Sequence, residues 1–220
     1  MTYRPDQLII AVDGPAASGK GTVARALARH FGLPHLDTGK LYRAVGLAVR
    51  LAGEDSADAL AAERHARHLD PALLDVPDLM SSDNAQSASI VSAHPGVRNA
   101  LFERQRAFAF QPGGAVLDGR DIGTIIAPDA HAKLFVTASP EVRAGRRHAE
   151  LARSGDTRDF ATVLADIRAR DARDSGRDTA PLVMANDALL LDTSELAIDA
   201  AVRRALALVE SRIGMERQAG

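Results

Sequence analysis

The chain has 220 residues, 46% hydrophobic and 25% charged, which is the balance of an ordinary globular protein with room for one domain and an excursion. A net charge of −2 supplies no field that would draw it to nucleic acid or a membrane surface. With no cysteine it can build no disulfide, no thiolate metal site and no cysteine nucleophile, and no apolar run has the length of a signal peptide or a membrane span, so a cytoplasmic protein is expected.

In chain order, Leu8-Ile9-Ile10-Ala11-Val12 is a continuous apolar run stopped by Asp13-Gly14-Pro15, the pattern of a strand buried on both faces of a parallel sheet. Val23, Leu27 and Phe31, with Ala24 and Ala28, then recur at helical spacing up to Gly32. A short second strand near Leu36 precedes a helix from about Lys40 to Leu51, ended by Gly53. Residues 57–110 read as helical pattern broken at Asp70-Pro71, Val76-Pro77 and His94-Pro95, with loop and turn around Ser81-Ser82-Asp83-Asn84. Ala115-Val116-Leu117, Leu134-Phe135-Val136 and Leu189-Leu190-Leu191 are further core strands, and Ser194 is placed to cap the final helix, with a frayed tail over Arg217–Gly220. Residues 149–177 form a charged excursion with a turn at Gly155. The alternation predicts an α/β fold, a parallel β-sheet with helices on both faces, as a single domain over 1–220.

Between the first strand and first helix stands Gly14-Pro15-Ala16-Ala17-Ser18-Gly19-Lys20-Gly21-Thr22. Glycines open backbone conformations in which successive N–H groups converge on phosphate oxygens, and the helix N-terminus adds its positive end. Lys20 is a compact charge able to reach a transferred phosphoryl group, and Thr22 offers a hydroxyl beside the magnesium ion that accompanies a triphosphate. Lysine is otherwise confined to Lys40 and Lys133, which makes the one in the loop stand out. GTPases, ATPases and small-molecule kinases share such a loop, but no guanine-reading Asn-Lys-x-Asp is present.

Three more clusters accompany the loop: Leu36-Asp37-Thr38-Gly39-Lys40-Leu41-Tyr42-Arg43; Ser89 with Pro95-Gly96-Val97-Arg98 and Arg104-Gln105-Arg106; and Leu117-Asp118-Gly119-Arg120-Asp121-Ile122-Gly123-Thr124. Together these closely resemble bacterial cytidylate kinases, over about Ile9 to Leu191. The resemblance implies a P-loop kinase core, with a nucleotide-side excursion at 57–110 and a lid at 149–177. It further implies transfer of the γ-phosphoryl of ATP to CMP or dCMP, with Mg²⁺ held by Thr22 and the phosphates. Gly14 to Thr22 and Arg147 would bind ATP, and Lys20, Arg120 and Arg177 would be catalytic. Thr38, Arg43, Arg120 and Arg177 would hold the acceptor phosphate, since a guanidinium fork binds phosphate oxygens in pairs. Ser89, Arg98 and Asp121 would read cytosine, and Arg170 and Asp174 the sugar. Asp118 stands between direct contact and support of the site.

A helical face shared by Arg170, Arg173, Asp174 and Arg177 is expected in the lid, with Asp166, Arg168 and Asp171 as solvated ion pairs. The segment 69–88 is shorter than in many members of the family, and Lys40 is expected to point to solvent. His65 and His68 lack a third ligand, so no metal site is expected there. A monomer is expected, binding no nucleic acid and no membrane. The rivals are a kinase of UMP, AMP or shikimate, and a nucleotide switch that signals through hydrolysis.

Overall fold

A computed structural model describes residues 7–219 except Ser154. Strand β1 (Gln7–Asp13) leads through the glycine loop into α1 (Lys20–Phe31), and β2 (His35–Asp37) passes directly into α2 (Thr38–Leu51). Helices α3 (Ala59–Arg67), α4 (Ser82–Val91) and α5 (Pro95–Ala109) follow, with two 3₁₀ turns, Pro71–Asp75 and Pro77–Met80, between α3 and α4. The second half runs β3 (Gly113–Gly119), a π turn (Ile122–Ile126), β4 (Ala132–Thr137), α6 (Pro140–Arg153), α7 (Phe160–Ser175), β5 (Leu189–Asp192) and α8 (Ile198–Ala219).

Among the described residues the strands form one sheet in the order β2-β3-β1-β4-β5. β1 pairs in parallel with β3 on one side and β4 on the other, with Ile10 opposite Val116 and Ala132. That central position explains its unbroken apolar run: Ile9 to Val12 are at most 1% exposed, and each large side chain so buried contributes about 1.5–3 kcal/mol. Val23, Leu27 and Ala28 of α1 and Ala205, Val209 and Ile213 of α8 join β1, β4 and β5 residues in the same core. Strands β1, β3, β4 and β5 run parallel and deliver their carboxyl ends to one edge of the sheet, where ligands of open α/β sheets bind.

The chain falls into two compact units. One takes the residues up to Leu36 and from Phe108 onward, and carries most of the sheet; the other is Asp37–Ala107. In the second unit α2 packs on α4 through Gly46, where a Cβ would stand 2.8 Å from the Ala88 nitrogen. The prolines at 71, 77 and 95 each open a turn or helix, where the missing N–H costs nothing.

Several boundaries differ from expectation for physical reasons. Ser81-Ser82-Asp83-Asn84 is a helix start rather than a loop, because Ser81 Oγ accepts from Asn84 N and caps α4. Ser194 does not cap the final helix, which begins at Ile198; its Oγ instead accepts from Ser139 N, just ahead of α6. Helix α8 continues to Ala219 through the segment expected to fray, and Gly220 lies outside the described residues. Gly32 and Gly53, both at positive φ, end α1 and α2 as expected.

Candidate active site

The glycine loop leaves the end of β1 at Asp13. Gly14 has φ 151°, and a Cβ there would collide with the Val136 carbonyl oxygen of β4, so only glycine lets the loop start so close to the neighbouring strand. Gly19, at φ 90°, turns the chain into α1, while Ala17 is held at φ 58°, uncommon for a residue with a side chain. Outward-facing carbonyls of the loop are gripped by α6 and by the turn after β5. Arg146 Nη1 and Thr193 Oγ1 donate to Ser18 O at 3.3 and 2.9 Å, and Arg143 Nη1 donates to Ala16 O at 3.4 Å. In a trans peptide the C=O and the following N–H point opposite ways, so each grip turns the N–H of Ala17 or Gly19 to the other side of the loop.

Inside the loop, the Ser18 hydroxyl is fully buried and has no hydrogen-bond partner among the described residues. Lys20 Nζ donates to Pro15 O at 3.5 Å, and Arg25 Nη2 donates to Thr22 Oγ1 at 3.3 Å. Of the other lysines, Lys40 is exposed as expected and Lys133 is committed to an ion pair with Asp187, so Lys20 alone of the three stands in the loop. Asp118, at the carboxyl end of β3, accepts from His35 Nε2 at 2.7 Å. Its other carboxylate oxygen lies 3.6 Å from where a Cβ on Gly21 would be, so Asp118 borders the loop. These are hard oxygen donors beside a polar loop, a set that suits a magnesium-bound triphosphate.

Immediately before the loop, Asp13 is buried, its Oδ1 accepting from Ile122 N at 2.8 Å and its Oδ2 from Gly123 N at 2.7 Å. Burial pushes its carboxyl up to about 7, against the pull of those two donors. Asp13 thereby ties the strand that starts the loop to the turn that follows Arg120 and Asp121. Asp121 is itself buried at the start of that turn, its carbonyl accepting from Ile125 N and Ile126 N.

Asp174, on the last turn of α7, collects three arginines. Arg120 Nε donates to its Oδ2 at 2.7 Å, Arg177 Nη2 donates to its Oδ1 at 2.9 Å, and Arg170 Nε lies 3.9 Å from Oδ2. Burial would raise the Asp174 carboxyl, but the three guanidinium charges outweigh it and push it down to about 2. Burial likewise opposes the Arg120 charge, and Asp174 outweighs that in turn, holding Arg120 above its ordinary value. Three guanidinium groups ordered by one carboxylate make a cluster of planar donors, the group type that binds phosphate oxygens in pairs.

The predicted helical face shared by Arg170, Arg173, Asp174 and Arg177 does not form. Helix α7 ends at Ser175, so Arg177 reaches Asp174 from beyond the helix, and Arg173 is exposed on another side. Arg168 and Asp166 do form exposed ion pairs, with Glu141 and Arg158. Asp171 does not belong with them, because it takes both ends of the Arg143 fork, at 2.9 and 2.6 Å. Arg147 pairs with Glu150 on α6, and it is Arg146 that touches the glycine loop.

The Asp37–Ala107 unit carries its own cluster. Thr38 is buried in the first turn of α2. Arg43 Nη1 donates to Leu79 O and Ser81 O at 3.2 and 3.4 Å, and the buried Asn84 donates to Arg43 O and Leu79 O, which closes the short segment around Arg43. Arg98 is buried, donates to Ser92 O, and lies 5.6 Å from the Tyr42 ring centre; Ser92 Oγ donates in turn to Ser89 O. His65 is paired with Glu54, and no group of three potential metal ligands occurs among the described residues.

The family model described as cytidylate kinase matches residues 10–211. A cytidylate kinase of Xanthobacter autotrophicus is 60% identical over 93% of this chain and 98% of its own length. One from Methylocella silvestris is 58% identical over 93% of this chain and 94% of its own. Among solved structures, a gluconokinase from Sinorhizobium meliloti superposes with a TM-score of 0.52 at 19% identity, over 99% of this chain and 100% of that one, a likeness of fold alone.

Proposed function

The chain belongs to the cytidylate kinase family, and from that premise we propose that it transfers the γ-phosphoryl group of ATP to CMP or dCMP, giving ADP and CDP or dCDP. The observation that carries the acceptor half is the convergence of Arg120, Arg170 and Arg177 on the buried Asp174, in the same unit as the glycine loop. A hydrolytic switch has no use for such a phosphate clamp.

In this reading the residues of Gly14–Thr22, with Arg147, hold ATP, and Lys20 follows the charge of the transferring group. The acceptor phosphate takes Thr38, Arg43, Arg120 and Arg177; the sugar takes Arg170 and Asp174; the base takes Ser89, Arg98 and Asp121, with Asp118 in support. An acceptor phosphate oxygen is already a nucleophile at neutral pH, so no general base is needed and the protein's task is positioning and charge neutralisation. Mg²⁺, when bound through Thr22 and the phosphates, would neutralise the charge shared by the β- and γ-phosphates. Residues 57–110 are the nucleotide-side excursion and 149–177 the lid, whose closure would keep water from competing as acceptor. No described helix is long and apolar enough to cross a membrane, and a cytoplasmic monomer that binds no nucleic acid belongs to the same proposal.

A coupled assay of ADP release with CMP, dCMP, UMP, AMP and shikimate tests the function. Stimulation by CMP or dCMP well above the rest is expected; slow ADP release indifferent to all five would overturn the reading. The base assignment has its own test. Cytosine presents an amino donor where uracil presents a carbonyl, and a carboxylate only accepts. Asp121→Asn should therefore lower kcat/KM for CMP and narrow the CMP-to-UMP ratio by about 10-fold, one reading contact being worth roughly 1–3 kcal/mol. An equal fall for both substrates would place base reading elsewhere.

A further inference from the structure

Asp171 is the one carboxylate of α7 that reaches the glycine loop's own support. Arg143, on α6, is 4% exposed and meets Asp171 with both terminal nitrogens, while its Nε donates to Ala138 O at 2.8 Å and its Nη1 to Ala16 O. Buried guanidinium groups need such a partner, because a lone charge out of water is heavily penalised. Independently, the apolar seam of the α6–α7 hairpin, made of Ala144, Leu151, Val163 and Ile167, has Ala16 and Ala17 packed against it. Loop residues 16 and 17 are thus held by the hairpin twice, by a hydrogen bond to a carbonyl and by side-chain packing. Of the two, Ala17 also has an uncommon backbone for a residue with a side chain, at φ 58°.

We propose that Asp171 is a positioning residue for the ATP side of the reaction, acting through Arg143 on the Ala16–Ala17 peptide. With Arg143 fixed, the Ala16 carbonyl stays turned toward α6 and the Ala17 N–H is held on the opposite face of the loop. Three residues further along α7, Asp174 orders the arginines assigned to the acceptor. A single turn of helix therefore carries one carboxylate for each substrate.

The proposal rests on the phosphoryl-transfer reading, and its test separates the two. Mg·ATP alone and CMP alone are titrated calorimetrically into wild type, Asp171→Asn and Asp171→Glu. Asp171→Asn should bind Mg·ATP about 10-fold more weakly, the equilibrium effect of losing roughly one charge-assisted hydrogen bond. Its CMP affinity should stay within about 2-fold, because Asp174 keeps its own partners. Asp171→Glu should recover much of the ATP affinity. Unchanged ATP affinity, or an equal loss for both ligands, overturns the proposal. If Asp171→Asn does not fold, Arg143→Met decides, since Asp171 is a quarter exposed and can be solvated without its partner. Failure of both variants to fold would make the pair a support of the fold alone and would also overturn it. A wild type that binds Mg·ATP but no CMP would refute the cytidylate reading while leaving the ATP comparison to decide Asp171.

Discussion

Lys20→Ala is expected to lower turnover about 10³-fold, the scale on which enzymes lose rate when one charge stabiliser of the transferring group is removed. Lys20 is the first residue of α1, joined through Pro15 O to the start of the glycine loop, whereas Lys40 is exposed and Lys133 is paired with Asp187. A lysine at that point neutralises charge that grows as the phosphoryl group leaves ADP, so its loss should appear in kcat more than in ground-state affinity. CMP binding should be nearly unchanged, because Arg120 and Arg177, proposed for the acceptor, are ordered by Asp174, and Arg43 by Leu79 O and Ser81 O, rather than by the loop. Rapid-quench measurement of the phosphoryl-transfer step, with calorimetric titration of CMP, checks both halves. Lost CMP affinity with near-normal turnover would remove Lys20 from the donor side.

Asp174→Ala should be the most damaging change to the acceptor side. It takes away the carboxylate that the largely buried Arg120 and Arg177 both pair with, and breaking a buried ion pair by removing one partner costs about 3–5 kcal/mol. The arginines then separate or draw in water, and efficiency with CMP should fall by about 10²- to 10³-fold even where the variant remains folded. The same carboxylate gives a pH signature. Its folded-state value is depressed to about 2, so its stabilisation is present above the ordinary carboxylate value and is lost as the pH falls from about 4 to about 2. That loss amounts to about 2 kcal/mol. Urea unfolding of wild type and Asp174→Asn between pH 2 and pH 7 should show two curves that converge at the acid end. Parallel curves would mean that the three arginines do not stabilise the ionised carboxylate.

The central strands were legible because a strand covered on both faces has no solvent side to alternate with, as in Leu8–Val12 and Ala115–Leu117. The glycine loop was legible because its conformational demands leave little choice of residue at Gly14 and Gly19. What escaped was long-range pairing. Arg143 and Asp171 lie on different helices, and nothing local distinguishes an aspartate facing a buried guanidinium from one facing water. A trace was present: Val163, Ile167, Asp171 and Asp174 continue one inward stripe of α7, and a polar residue on an apolar stripe requires a partner. Asp13 left a similar trace as the one charge in its strand, closing the apolar run Leu8–Val12. Ser81 to Asn84 were misread because residues that favour turns are also those that cap helices, and only the following backbone distinguishes the two uses. His35, which holds Asp118, left no trace at all, since a strand of three residues has no period to break.

The strand order has a consequence for how the chain is made. β1 is the first strand to be synthesised and the innermost in the finished sheet, yet its partners are Gly113–Gly119 and Ala132–Thr137. Until those residues leave the ribosome, Leu8–Val12 has two bare edges and no lawful neighbour, while the Asp37–Ala107 unit, built in between from local helical contacts, can already be compact. Loop-closure entropy delays such distant pairings and leaves the apolar strand open to association with other chains. The wait ends only when the β3 and β4 segments emerge, so a nascent chain stalled before Gly113 exposes the segment that later becomes the least accessible part of the molecule.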